Sequence, residues 1–190
     1  MDGKGGMSQA QGRRCRVDWL VPLLGLGRAF APGAVPYLAN TLNVRHVIDC
    51  RQEACDDAAL LARHGIGLLH LPTPDRHAMA EPLLREGVAW AMERLERGER
   101  VFIHCEHGVG RSAQLALCVL VGQGDAPLAA MERAREARPA VCPSTAQLRA
   151  FLAWCEGWRE ERGAVWELPT LAALEEAALG PLGRALRWPP

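Results

Sequence analysis

The sequence predicts an α/β protein: a three-layer sandwich in which helices flank a central, mostly parallel sheet. Three observations predict it. Runs of β-branched and apolar residues ("VRHVIDC", "IGLLHLP" and "RVFIHC") alternate with longer segments of helical spacing. These runs are mostly apolar rather than strictly alternating, which marks strands covered on both faces. No segment repeats, so a solenoid or propeller is not indicated.

The elements follow in order. Low complexity ends near Arg16, and "VDWLVPLLGLG" begins the ordered part as short strands. "APGAVPYLANTLN" reads as a turn and a short helix ending at Asn43. "VRHVIDC" is a buried strand, followed by a helix from Asp56 to His64 that Gly65 closes. "IGLLHLP" is the next strand, broken by Pro72 and Pro74. From Glu81 to Arg97, apolar residues recur at Leu84, Val88, Ala91, Met92 and Leu95, which is helical spacing. "RVFIHC" is a third strand, and Arg111 to Val121 a buried helix after a glycine loop. Asp125 is expected to cap a helix through Arg138, and Ser144 another through Trp158. The charge runs "EARPA" and "REERG" read as solvated helix faces, and Gly180-Pro181 must interrupt the Ala/Leu-rich C-terminal helix. The expected organisation is a flexible tail over 1–16, one folded domain over 17–158 and a helical extension over 159–190.

Bulk properties bound the function. The chain has 190 residues, 49% hydrophobic and 23% charged, enough for one buried core. Its 22 basic residues match its 22 acidic ones, which gives no global electrostatic case for nucleic acid or a membrane surface. The single Tyr and three Phe also argue against a base-stacking surface. No apolar run is long enough to span a bilayer, and the N-terminus has no signal-peptide core. Seven cysteines without paired spacing fit a reducing compartment. A soluble, cytoplasmic protein is the expectation.

The chemistry gathers at "VFIHCEHGVGRS", Val101 to Ser112. Between Cys105 and Arg111 lie Glu106, His107, Gly108, Val109 and Gly110. A loop that short, running from strand to helix, turns successive backbone N–H groups toward one point. The glycines admit positive φ and close approach of a ligand, and the following helix adds its positive end. Arg111 offers a planar fork matching two phosphate oxygens. The same field lowers a thiol from about 8.5 into the range of roughly 3.5–7.5, so Cys105 is expected as a thiolate. His104 would orient the loop from behind, and Ser112 would donate to the sulfur when it leaves. Asp75, in the proline-stiffened "HLPTPDRH" that precedes the cysteine strand, supplies a general acid.

His104-Cys105-x-x-Gly108-x-x-Arg111-Ser112 resembles the signature of the cysteine-dependent protein tyrosine phosphatase superfamily, closest to the small (atypical) dual-specificity phosphatases. "VIDCRQE", "HLPTPD" and "ARPAVCPSTAQLRAFL" agree in order and spacing, so the resemblance covers about Val17 to Trp158. It implies a dual-specificity-phosphatase-like fold. It implies Cys105 as nucleophile, Arg111 as phosphate binder, Asp75 as general acid and Ser112 as donor to the leaving thiolate. Gln147 matches the glutamine that positions the hydrolytic water in some relatives. No cofactor or metal is implied. The expected partner is a phosphorylated protein or small phosphomonoester, with phosphotyrosine, phosphoserine or phosphothreonine as the default. Phosphoinositides, inositol phosphates and RNA 5′-phosphates are the alternatives, because relatives of this fold accept them. The loop departs from the pattern of many members in carrying Val109-Gly110 where a serine is common. It also has Glu106 and His107 where lipid-phosphate enzymes tend to have lysines.

Other readings are weaker. Adjacent His104 and Cys105 point to opposite faces of a strand, so with His107 they make a poor metal site. Sulfur transfer of the rhodanese kind also uses a cysteine loop but has no use for Asp75. A phosphate-binding module without turnover would not need nucleophile, arginine and acid together. Cys50 ends a strand expected beside that of Cys105, which makes it the first candidate to trap an oxidised Cys105. An inert buried thiol is the simpler reading of Cys50.

Overall fold

The computed structural model describes residues 15–186. The expected tail falls outside the described residues over 1–14, whereas Cys15 is buried. The described residues build a five-stranded sheet in the order β1-β2-β5-β3-β4. Its strands are β1 (Val17–Val21), β2 (Leu24–Arg28), β3 (Val44–Arg51), β4 (Gly67–Thr73) and β5 (Arg100–Cys105). β1 and β2 form an antiparallel hairpin, and every other pairing is parallel, with β5 central between β2 and β3. The mostly parallel sheet predicted from the apolar strands is therefore present.

Alternation along β5 divides the core in two. Val101, Ile103 and Cys105 face one side, with α3 (Glu81–Glu96), α4 (Arg111–Gly122), α5 (Pro127–Ala137) and α6 (Thr145–Arg162). Phe102 faces the other, with α1 (Val35–Asn40) and α2 (Ala58–Arg63). α4 is buried on every face: its apolar residues from Leu115 to Val121 pack between layers, while the polar Arg111, Ser112 and Gln114 of its first turn are buried too. The C-terminal helix α7 (Leu171–Leu186) is broken at Gly180, whose φ of 64° and ψ of −166° are non-helical. It lays Leu174 and Ala178 into the main core.

Three local expectations are corrected. β4 continues through Pro72, which an edge strand tolerates because one side of its backbone has no ladder to feed. Asp125 does not cap α5: the N-cap is Ala126, Pro127 opens the helix, and Asp125 instead accepts from Arg133 at 2.7 Å. "EARPA" is not wholly a solvated face, since Arg138 turns inward at the end of α5. Ser144 does cap α6, in a reciprocal capping box with Gln147. α6 runs to Arg162, where Gly163 ends it at a φ of 64°.

Candidate active site

Cys105 is the last residue of the central strand, and Arg111 is the first of α4, so residues 106–110 wrap the carboxyl edge of the sheet. Cys105 is 3% exposed. Its Sγ accepts from the Gly108 N–H at 3.3 Å and from the Ser112 hydroxyl at 3.2 Å. Burial alone would push the thiol up. The Ser112 hydroxyl and the backbone N–H groups of Ser112, Gly108 and Val109 outweigh it, and the thiol is lowered overall. Cys50, fully buried on the neighbouring strand, has no such donors; burial and the charges of Cys105 and Asp49 push its thiol well up.

The loop requires a glycine at 108 twice over. Its φ is +66°, and a Cβ there would lie 2.3 Å from the Gly27 carbonyl oxygen on β2. Gly110 packs less tightly, against the Gln147 side chain, whose Oε1 would be 2.7 Å from an added Cβ.

Arg111 is 2% exposed and fixed from below. Glu53 receives it in bidentate fashion, at 2.7 and 2.8 Å, and the Thr73 carbonyl accepts at 2.9 Å. Arg111 holds the Glu53 carboxyl down at about 2. The Asp75 carboxylate reaches the same guanidinium at 3.0 Å while its side chain stays 60% exposed. Asp75 and Cys105 therefore meet across one cavity of about 420 Å³, lined also by Arg76, His107, Val109, Gly110, Cys142 and Gln147.

Gln147 sits in that wall with both ends of its amide engaged. Its Oε1 accepts from the Ser144 N–H at 2.8 Å, and its Nε2 donates to the His77 carbonyl at 2.9 Å. In this structure it pins the loop carrying Asp75 to the start of α6.

His104 faces away from the sulfur. Its Nε2 pairs with Asp56 at 2.8 Å, and its ring stacks on Phe102 at 5.5 Å between centroids. Asp56 in turn pairs with Arg51 at 2.8 Å, and Arg51 reaches Glu106 at 3.5 Å. Donor groups of Asp49, Cys55 and His70, and of Asp49, Asp56 and His104, do gather within 4.8 Å of one another. Both oxygens of Asp49 are already committed, however, to Arg51 and to the Asp56 N–H. Arg51 supplies the countercharge, so this is an ion-pair network rather than a metal centre. Neither group includes Cys105 or His107.

Sequence reasoning did not single out Glu53, Arg51, Asp56 or Arg138. Arg138 donates to the loop carbonyls of Gly108 at 2.7 Å and His107 at 2.8 Å, and pairs with Asp18 at 2.6 Å. The signal available for Glu53, Arg51 and Arg138 was their place inside the segments "VIDCRQE" and "ARPAVCPSTAQLRAFL"; Asp56 had none.

Fold and site define a class: an α/β protein with a cysteine-arginine loop joining its central parallel strand to a buried helix. The family model described as dual specificity phosphatase, catalytic domain, matches residues 30–156, and the chain belongs to that family. Comparison with curated protein sequences found no match. Among solved structures, Tk-PTP in its active form is 24% identical with a TM-score of 0.68, over 74% of this chain and 96% of that one. PTPMT1 in complex with PI(5)P is 22% identical with a TM-score of 0.71, over 75% and 96%. Human DUSP28 is 22% identical with a TM-score of 0.68, over 77% and 99%. At these identities the likeness is one of fold.

Proposed function

We propose that the protein is a metal-independent phosphatase that hydrolyses phosphomonoesters through a cysteinyl-phosphate intermediate, acting on phosphorylated protein side chains. The observation that carries this reading is the Cys105 sulfur, lowered by hydrogen bonds at the floor of a cavity that Arg111 and Asp75 share. The Cys105 thiolate attacks phosphorus, the S–P bond forms and the P–O bond to the leaving group breaks. With the Arg111 guanidinium taken up by the phosphate, Asp75 in its protonated form gives that proton to the departing oxygen and is left as the carboxylate. The loop N–H groups and Arg111 hold the phosphoryl oxygens as charge moves among them. Water then attacks phosphorus, Asp75 takes back a proton, and the thiolate leaves toward the Ser112 hydroxyl. His104 keeps the strand end in place through Asp56, and Gln147 holds the Asp75 loop beside the water's path. Residues 17–158 carry the catalytic site in this reading and 159–190 form a C-terminal extension, of which Leu174 and Ala178 pack into the core.

A phosphoinositide is the second reading, favoured by the likeness to PTPMT1, solved with PI(5)P. The primary test is hydrolysis of p-nitrophenyl phosphate with a chelator present, by wild type, Cys105→Ser and Asp75→Asn. Turnover by wild type, none by Cys105→Ser and a slowed Asp75→Asn are expected. A wild type that binds vanadate yet hydrolyses nothing would make the loop a phosphate reader and end the enzymatic reading.

A further inference from the structure

The chain is neutral overall, but the arginines around the cavity are not equally paired. Each carboxylate beside it is committed to a cation: Glu53 and Asp75 to Arg111, Glu106 to Arg51. Arg76 lines the same cavity, is exposed, and forms no ion pair among the described residues. Among the described residues that line the cavity, Arg76 is the arginine without a carboxylate partner, whereas Arg111 is shared by Glu53 and Asp75.

Its backbone is also fixed. Arg76 has a φ of 62°, a left-handed conformation that side-chain-bearing residues rarely adopt. The turn is closed by the His77 N–H donating to the Pro74 carbonyl at 3.2 Å. It is tied to α6 at two successive carbonyls: Ser144 Oγ donates to that of Arg76 at 3.4 Å, and Gln147 Nε2 to that of His77 at 2.9 Å. A strained arginine held by its neighbours at a cavity rim, beside the residue that would protonate the leaving group, is placed to touch what surrounds the scissile phosphate.

Building on the phosphatase reading above, we propose that Arg76 is a specificity-determining residue. Its guanidinium binds an acidic side chain next to the phosphorylated residue of a protein substrate. A protein rather than a membrane is favoured by the rest of the mouth. Glu53 and Asp75 remain solvent-accessible there, and the several clustered cations that hold an anionic bilayer are not present among the lining residues.

The test compares kcat/KM on two phosphopeptides identical except for acidic or neutral residues flanking the phosphorylated one. The enzymes are wild type, Arg76→Lys, Arg76→Asn and Arg76→Glu. Asparagine tolerates the left-handed backbone, so it removes charge without adding strain. Wild type is expected to favour the acidic peptide by about fivefold, as a partly exposed ion pair allows, less so at high salt. Arg76→Lys keeps part of the preference, Arg76→Asn erases it and Arg76→Glu reverses it. An unchanged ratio in Arg76→Asn and Arg76→Glu overturns the proposal while leaving the phosphatase reading intact. A short-chain phosphoinositide that outcompetes both peptides, with an advantage lost in Arg76→Asn, overturns the protein assignment in favour of a lipid headgroup. Loss of all turnover in wild type, p-nitrophenyl phosphate included, overturns the phosphatase reading and this one with it.

Discussion

Replacing Arg138 with glutamine tests how the cysteine loop is held. The guanidinium spends three donors, on the carbonyls of His107 and Gly108 and on Asp18, with its side chain only 13% exposed. The losses are unequal. His107 is exposed and water can replace its donor, while Asp18 keeps Arg16 as a second partner at 2.5 Å. The Gly108 carbonyl is the group left short, and a buried carbonyl without a donor costs about 1–3 kcal/mol. Adding a small share for the weakened ion pair gives about 2–3 kcal/mol, or a fall in Tm of roughly 5–10 °C for a domain of this size. The protein should stay folded, since total stability is about 5–15 kcal/mol. A loosened loop also carries the Gly108 and Val109 N–H groups away from Sγ, so the Cys105 thiol should titrate higher than in wild type. Thermal unfolding reads the first effect, and the pH dependence of Cys105 alkylation by iodoacetamide reads the second. A lower Tm with an unmoved thiol titration would mean that Arg138 supports the fold but not the loop's field. No change in either would refute the hydrogen-bond accounting altogether.

Two further substitutions probe the same loop. Gly108→Ala meets the β2 backbone at 2.3 Å and must hold a φ of +66°, which costs about 1–2 kcal/mol before any displacement of β2. Thermal unfolding should show a drop of several degrees, with vanadate binding lost. Ser112→Ala removes the strongest of the hydrogen bonds that lower Cys105, so alkylation should require a higher pH. The sign for stability follows. The folded thiol titrates below its ordinary value of 9.0, so its contribution is fully present above that value and is lost as pH falls through the folded pKa. Urea midpoints measured from pH 5 to 10 should show that rise with pH in wild type and a smaller one in Ser112→Ala.

Legibility in the sequence tracked sequence distance. Cys105, Gly108, Arg111 and Ser112 lie within eight residues, and their strand-loop-helix setting follows from local pattern alone. Asp75 was reachable because the order of strands puts its loop at the same sheet edge. Arg138 was missed because its partners lie 30 residues away at Gly108 and 120 away at Asp18, and a terminal arginine on a charged helix looks solvated until the tertiary contact is known. Glu53 was missed for a similar reason: its partner is 58 residues on, and its place in "VIDCRQE" does not say which side chain of that segment reaches the arginine. Asp125 was misread as a cap because the local rule favouring aspartate competes with Pro127, which moves the helix start one residue later.

The loop also poses an accounting problem that its own sequence does not solve. If N–H groups of residues near Cys105 turn inward to the sulfur, the loop carbonyls must turn outward and find donors elsewhere. All five do. The Glu106 carbonyl accepts from the Ala29 N–H at 3.3 Å, Val109 from the Cys142 N–H at 3.0 Å, and Gly110 from the Gln114 N–H at 2.8 Å. Those of His107 and Gly108 take Arg138. The donors come from the segment after β2, the end of α5, the turn before α6 and the first turn of α4. Three are backbone groups that no side-chain substitution can remove, so the side chains of Glu106, His107 and Val109 are released from holding the loop's shape. Arg138 is the exception, one side chain serving two carbonyls. The inward field on Cys105 is thus set less by the residues that form the loop than by four surrounding elements that hold its back.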